Sequence, residues 1–147
     1  MKNKIIVKLL PIVLLLVLWG CHTNNMATNT KPFVEELQKS TKEYVLLDFS
    51  ADWCPDCVHM SMLFETDEIK SIVEEKFIYH KYDVGMFNRY NSLRKAYNIK
   101  AVTTLVFINR DGKVIENQRF EPVTKHYLES PANSVIEFRD YLLSIGN

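Results

Sequence analysis

The chain has no excess charge of either sign: 18 Lys and Arg stand against 18 Asp and Glu in 147 residues. With no sustained basic patch either, the electrostatic footprint of a nucleic-acid binder is missing, and no nucleic acid is expected as a partner. Cysteine is also scarce. Of the three present, two form a single Cys-x-x-Cys pair, Cys54 and Cys57, and no second pair exists to complete the four ligands of a structural zinc site. No internal repeat is visible. The main apolar run, Leu9 to Trp19, is interrupted only by Pro11, but it is shorter than the about 20 residues a membrane-spanning helix needs. Extensive disorder is excluded by an apolar content of 47%. The length allows one domain with a real core, plus extensions.

What is present begins at the N-terminus. Lys2, Lys4 and Lys8 precede the apolar run, and Gly20-Cys21 closes it, which is the layout of a signal peptide. Leu18-Trp19-Gly20-Cys21 resembles the lipobox of bacterial lipoproteins, although Trp19 is larger than the usual small residue. The resemblance implies cleavage before Cys21 and acylation of its sulfur; an uncleaved membrane anchor is the alternative. Residues 1–20 are then a lipoprotein signal peptide, residues 21–31 a flexible tether with lipidated Cys21, and residues 32–147 the folded domain. That domain is expected outside the cytoplasm, lipid-anchored to a bacterial membrane and facing the periplasm in a Gram-negative cell. Cleavage removes three lysines and no acid, leaving 15 basic and 18 acidic side chains, a mild imbalance that predicts solubility. The segment "HTNNMATNTK", His22 to Lys31, is polar and without periodicity; as a coil it spans about 18 Å. An oxidising compartment and a lipidated Cys21 leave Cys54 and Cys57 as the remaining thiols.

Along the domain, Pro32 opens a short helix with Phe33, Val34 and Leu37 on one face. "YVLLDF", Tyr44 to Phe49, is a buried strand by composition, with Asp48 as its anomaly. Val58 to Glu65 forms a helix with Met60, Leu63 and Phe64 inward, and Thr66-Asp67 caps another from Glu68 to Lys76. "FIYHKYDV", Phe77 to Val84, is the next strand, Asn91 to Tyr97 a helix, and "TLVFIN", Thr104 to Asn109, a third strand. Arg110-Asp111-Gly112 turns the chain into a fourth strand, Lys113 to Phe120, and a helix from about Ala132 to Ser144 ends the domain. Strands alternating with helices predict parallel pairing, and the closing hairpin adds an antiparallel edge.

The dithiol lies where a strand ends and a helix begins. Unpartnered amides and the positive dipole end favour a thiolate there, so Cys54 is the candidate nucleophile. Cys57, one turn further in, is the candidate resolving thiol. The i, i+3 spacing puts both sulfurs on one face, within bridging reach. Pro55 suits the first helical turn. Asp56 sets a carboxylate beside the thiolate and opposes its charge, which favours the disulfide form and makes the dithiol a better reductant. Asp48 is costly to bury, and behind Cys57 it is placed to take the resolving thiol's proton through a water; an acid facing solvent at a strand edge is the plain alternative.

"VLLDFSADWCPDC" resembles the active-site segment of thioredoxins, a strand with a buried aspartate leading to Trp-Cys-x-x-Cys on a helix. "YNIKAVTTLVFINRDGKVI", Tyr97 to Ile115, is similar to the thioredoxin segment that runs through a cis-proline loop, a strand, a turn and a strand. The resemblance implies a thioredoxin fold of the α/β class, a central mixed four-stranded sheet flanked by helices on both faces. It implies a protein-disulfide reductase that needs no cofactor beyond the redox-active Cys54–Cys57 disulfide. Trp53, Pro55, Asp56, Val102 and Thr103 are the residues it places against the substrate. Thr103 stands where the family has its cis-proline, and a cis bond without proline costs about 2.5–4 kcal/mol. The loop is therefore expected trans or strained, with the Thr103 hydroxyl facing the dithiol. Glu121 to Pro131 makes a longer connection than a minimal thioredoxin needs.

Disulfide-containing client proteins and a membrane thiol electron donor are the expected partners of a monomer. The competing reading is a copper-binding or copper-delivery protein, since "CPDCVHMSM" offers Cys54, Cys57, His59, Met60 and Met62 as soft ligands. Helical geometry counts against it, because Met60 falls on the face expected to enter the core. A non-catalytic adaptor with the dithiol kept as a static bridge is a third. Tyr79, Tyr82, Phe87 and Tyr90 are read as core and rim, and His80 and His126 as isolated.

Overall fold

Strand β1, Tyr44–Ser50, can afford a nearly unbroken apolar run because it is covered on both faces and paired along both edges. The computed structural model describes residues 24–121 and 132–147. Around β1 stand α1 (Asn24–Gln38), α2 (Pro55–Phe64), α3 (Asp67–Lys76), β2 (Phe77–Asp83), α4 (Asn91–Ala96), β3 (Thr104–Asn109), β4 (Val114–Arg119) and α5 (Val135–Ser144). The sheet order is β2-β1-β3-β4.

Only β1 and β2 pair in parallel; β3 runs antiparallel to β1, and β4 antiparallel to β3. Alternation of helices and strands had pointed to parallel pairing throughout the first three strands. The connection explains the difference. At six residues, α4 spans about 9 Å, whereas a seven-residue strand such as β2 spans about 23 Å. The helix does not carry the chain back along the sheet, and β3 starts at the end where β2 stops. The mixed four-stranded sheet with helices on both faces is nonetheless the expected architecture.

Strand periodicity divides the core. Val45, Leu47 and Phe49 join Phe33 and Leu37 of α1 and Tyr97 and Ile99 after α4 on one face. Leu46 joins Met60 and Leu63 of α2, Ile69 and Val73 of α3, and Phe138 and Leu142 of α5 on the other, with Leu105 and Phe107 of β3. Each such fully buried side chain contributes about 1.5–3 kcal/mol.

Helix α1 corrects the expected tether. It is already helical at Asn24, where the described residues begin, and Pro32 lies inside it. Tertiary contacts account for this: Thr30 is buried, and the Tyr97 hydroxyl donates to the Asn29 carbonyl at 3.3 Å. Gly112, at φ +76°, lies so close that a Cβ there would sit 3.0 Å from both Thr30 Oγ1 and Val34 Cγ2. The hairpin around it is tied by Asn109 Oδ1, which accepts from the N–H groups of Asp111 and Lys113 at 3.1 and 2.9 Å. Thr66 precedes α3 as expected, but its hydroxyl donates back to the Leu63 carbonyl at 2.7 Å instead of capping the helix. The signal peptide, Cys21, His126 and residues 122–131 of the long connection lie outside the described residues.

Candidate functional site

The end of β1 delivers the dithiol. Cys54 occupies the N-cap of α2 in extended conformation (φ −93°, ψ 117°), with Pro55 in the first turn. Its carbonyl accepts from the Val58 N–H at 3.1 Å, and its Sγ accepts from the Cys57 N–H at 3.3 Å. One of the orphan amides of α2 therefore points at the Cys54 sulfur, where negative charge is favoured. Both thiols are free, and both residues are nearly closed off, at 4% and 3% exposure. Exposure thus does not separate them; position on the helix does.

Cys57 is held as a thiol. Burial pushes its pKa well up from 9.0, helped by the hydrogen bond with Cys54 and by the charges of Cys54 and Asp48, against a hydrogen bond with the Ala51 backbone. A proton acceptor is needed before Cys57 can attack.

Asp48 lies deep in β1 at 2% exposure, which overturns the solvent-facing alternative. Burial raises its pKa from 3.8, opposed by the Tyr79 hydrogen bond, the Lys81 charge and the Thr103 hydrogen bond. The Tyr79 hydroxyl donates to Asp48 Oδ2 at 2.8 Å, and the Thr103 hydroxyl donates to Oδ1 at 3.4 Å. Asp48 pairs in register with Lys81 on one side and Leu105 on the other.

The loop before β3 is not trans, and its hydroxyl does not point where expected. The Val102–Thr103 peptide bond is cis, without proline. The Thr103 hydroxyl faces Asp48, not the dithiol. The Thr103 carbonyl accepts from the Phe120 N–H at 2.9 Å, so both ends of this fully buried residue are engaged inside the molecule. Asp56 is likewise buried, and neither side chain lies open to a client. Trp53 does: it is 51% exposed, with its indole N–H donating to the Gly85 carbonyl at 2.9 Å and its ring 6.1 Å from that of Phe87. Pro55 is exposed beside it and Val102 is buried.

The copper ligand set is pulled apart. Met60 is buried on the sheet face opposite the cluster that holds Cys54 and Cys57, while His59 Nε2 lies 3.0 Å from the Ala132 carbonyl and Met62 points to solvent. Two other readings also change. His80 is not isolated, since its Nε2 lies 2.8 Å from Glu36 Oε2. Tyr79, read as core and rim, belongs to the site. The signal that could have found it is strand alternation: Tyr79 and Lys81 sit two apart in β2, level with Leu46 and Asp48 of β1.

A helix-capping cysteine, a protonated partner one turn on and a buried carboxyl behind them define a thiol–disulfide oxidoreductase. The thioredoxin family model matches residues 24–131, and the chain belongs to the thioredoxin family. Thioredoxin H4 of Arabidopsis thaliana is 31% identical over 97 residues, 66% of this chain and 73% of that protein. Among solved structures, the disulphide isomerase from Xylella fastidiosa Temecula1 aligns at a TM-score of 0.62 with 26% identity, covering 87% of this chain and 95% of that one. The C-terminal domain of DsbD from Neisseria meningitidis in its reduced form shares the fold, at a TM-score of 0.55 and 20% identity over 79% of this chain and 90% of that one.

Proposed function

We propose that this chain is a membrane-tethered, extracytoplasmic reductase of protein disulfides. Cys54 attacks a client disulfide and forms a mixed disulfide, releasing one client sulfur as thiolate. Cys57 passes its proton to Asp48 and attacks the Cys54 sulfur, so the Cys54–Cys57 bond forms and the second client sulfur leaves. Two electrons pass from the dithiol to the client, and a membrane thiol protein restores them. The observation that carries this reading is the burial of Cys57, at 3% exposure, with the Asp48 carboxyl buried near it; burial first, and the carboxylate charge in addition, oppose a thiolate there. Charge that opposes the thiolate stabilises the disulfide relative to the dithiol, and such a pair gives electrons away. The tether rests on the lipobox-like Leu18-Trp19-Gly20-Cys21. With α1 already helical at Asn24, close after Cys21 in sequence, a lipid on Cys21 would hold the domain close to the bilayer.

The test is covalent trapping in cells. Cys57→Ser is expected to accumulate mixed disulfides with client proteins, and Cys54→Ser to accumulate none. Equal trapping by both would overturn the division of roles. Labelling with a fatty acid, lost in Cys21→Ala, checks the anchor.

A further inference from the structure

Resolution poses a problem of access. When Cys57 attacks, the client is still bonded to Cys54 and covers the mouth of the site, where Trp53 and Pro55 are exposed. Asp48, 2% exposed, can take the Cys57 proton only when it is itself ionised, and burial favours its protonated form. A proton it already holds must therefore leave before resolution, while the client is still bound, by a route that avoids the covered mouth.

A second opening exists. A groove of about 490 Å³ lies between α2, α3 and β2, lined among others by Ser61, Phe64, Glu65, Lys70, Tyr79 and Lys81. It shares no lining residue with the mouth. Tyr79 touches both compartments, since it lines this groove while its hydroxyl donates to Asp48 Oδ2 at 2.8 Å. The Phe64 ring, 5.1 Å from the Tyr79 ring, holds it from the α2 side, and Lys81 Nζ donates to Ser61 Oγ at 2.9 Å across the groove wall.

We propose that Tyr79 is the proton port of the resolving half-reaction, connecting Asp48 to water in the α2–α3–β2 groove while the client occupies the mouth. This rests on the reading of Asp48 as acceptor of the Cys57 proton. The step balances. Protonated Asp48 passes its proton to the Tyr79 oxygen as the Tyr79 hydroxyl passes its own to a groove water. The hydroxyl then turns back to donate to the carboxylate. No tyrosinate accumulates, in keeping with a Tyr79 hydroxyl that burial and Asp48 hold well above the ordinary tyrosine range. The groups facing Asp48 are Tyr79 and Lys81 from β2, Thr103 from the loop before β3, and Cys57 from α2; Glu65 faces Tyr79 from the end of α2.

The experiment follows the mixed disulfide by rapid acid quench and mass measurement, with its rise reporting attack and its decay reporting resolution. The reduced chain is mixed with insulin, which covers the mouth, or with oxidised glutathione, which leaves water at it. Tyr79→Phe keeps the ring and removes the port. It is expected to leave the rise unchanged and to slow the decay with insulin about 10-fold, part of the about 100- to 10,000-fold that proton transfer supplies, with a smaller effect for glutathione. Its decay profile with insulin should also move to higher pH, because the Asp48 carboxylate loses a donor. Ser61→Trp fills the groove from α2 without touching Asp48 and should reproduce the client-dependent slowing even if Tyr79→Phe does not fold. Equal slowing with both clients, or unchanged decay in both variants, overturns the port. Asp48→Asn is the control on the underlying reading: it should slow decay with both clients. If it does so while the other two variants do not, only the port falls. If it slows neither, the Asp48 reading falls and the port with it.

Discussion

Burial raises the Asp48 pKa above its ordinary 3.8, so the folded chain binds this proton more tightly than the unfolded chain does. Stability attributable to Asp48 is therefore greatest below that ordinary value and is lost as pH rises through the raised one. Above the raised value, the ionised carboxylate is a net cost to the fold, only partly offset by the Tyr79 hydroxyl, the Lys81 charge and the Thr103 hydroxyl. Asp48→Asn removes the ionisation and keeps an oxygen for one of the two hydroxyls, with an amide N–H toward the other. The variant is expected to gain on the order of 1–3 kcal/mol at pH 8 and nothing at pH 3, while losing resolution rate. Urea denaturation at the two pH values checks this; a gain of the same size at both would mean that shape, not charge, is at issue. A residue that weakens the fold in its working form and remains central to the chemistry is the pattern expected of a functional site.

Among the elements, α5 shows how much a single cap holds. Ser134 Oγ accepts from the Glu137 N–H at 3.2 Å and lies 3.1 Å from Glu137 Oε2, and the helix then lays Phe138 and Leu142 into the core. Ser134→Ala should cost about 0.5–2 kcal/mol in denaturant titrations without altering reaction with client disulfides. At the other end of the chain, α1 is held by Thr30 against Gly112 and by Asn29 against Tyr97. A chain starting at Pro32 should lose about 1–3 kcal/mol relative to one starting at Asn24; equal stabilities would return residues 24–31 to the status of a tether. These two helices mark where the sequence could be read. The strands, α2 and the dithiol were legible because their signals are local: apolar runs, turn residues, and two cysteines at a strand-to-helix junction. The extension of α1, the cis Val102–Thr103 bond and the place of Tyr79 were not. Polar Asn and Thr residues before a proline carry no helical stripe, Thr103 has no local reason to adopt the cis form, and Tyr79 becomes a site residue only through its neighbour across the β1–β2 register.

For the molecule as a whole, the sheet concentrates chemistry at one end of β1, where Cys54, Cys57, Trp53 and the loop before β3 converge. What direction the exchange takes there is a property of the entire surroundings of the dithiol, because its potential compares two forms of the same folded chain. Three features favour the disulfide form: the burial of Cys57, the negative charge of Asp48 behind it, and a second acid, Asp56, buried in the first turn of α2. The expected equilibrium with glutathione therefore lies at about −270 mV, the thioredoxin value, or below, and not near the about −180 mV of an isomerase. For a two-electron couple that gap is a factor of about 1,000 in the equilibrium constant, far beyond the error of a titration read by alkylation and mass. The outcome also separates reduction from isomerisation. A value near −180 mV would place this chain with the Xylella disulphide isomerase in function as well as in shape, and the reductase reading would fail. A value near −270 mV would leave the reductant that recharges the dithiol as the next quantity to find, since each turnover spends two electrons that a second thiol couple of comparable or lower potential must restore.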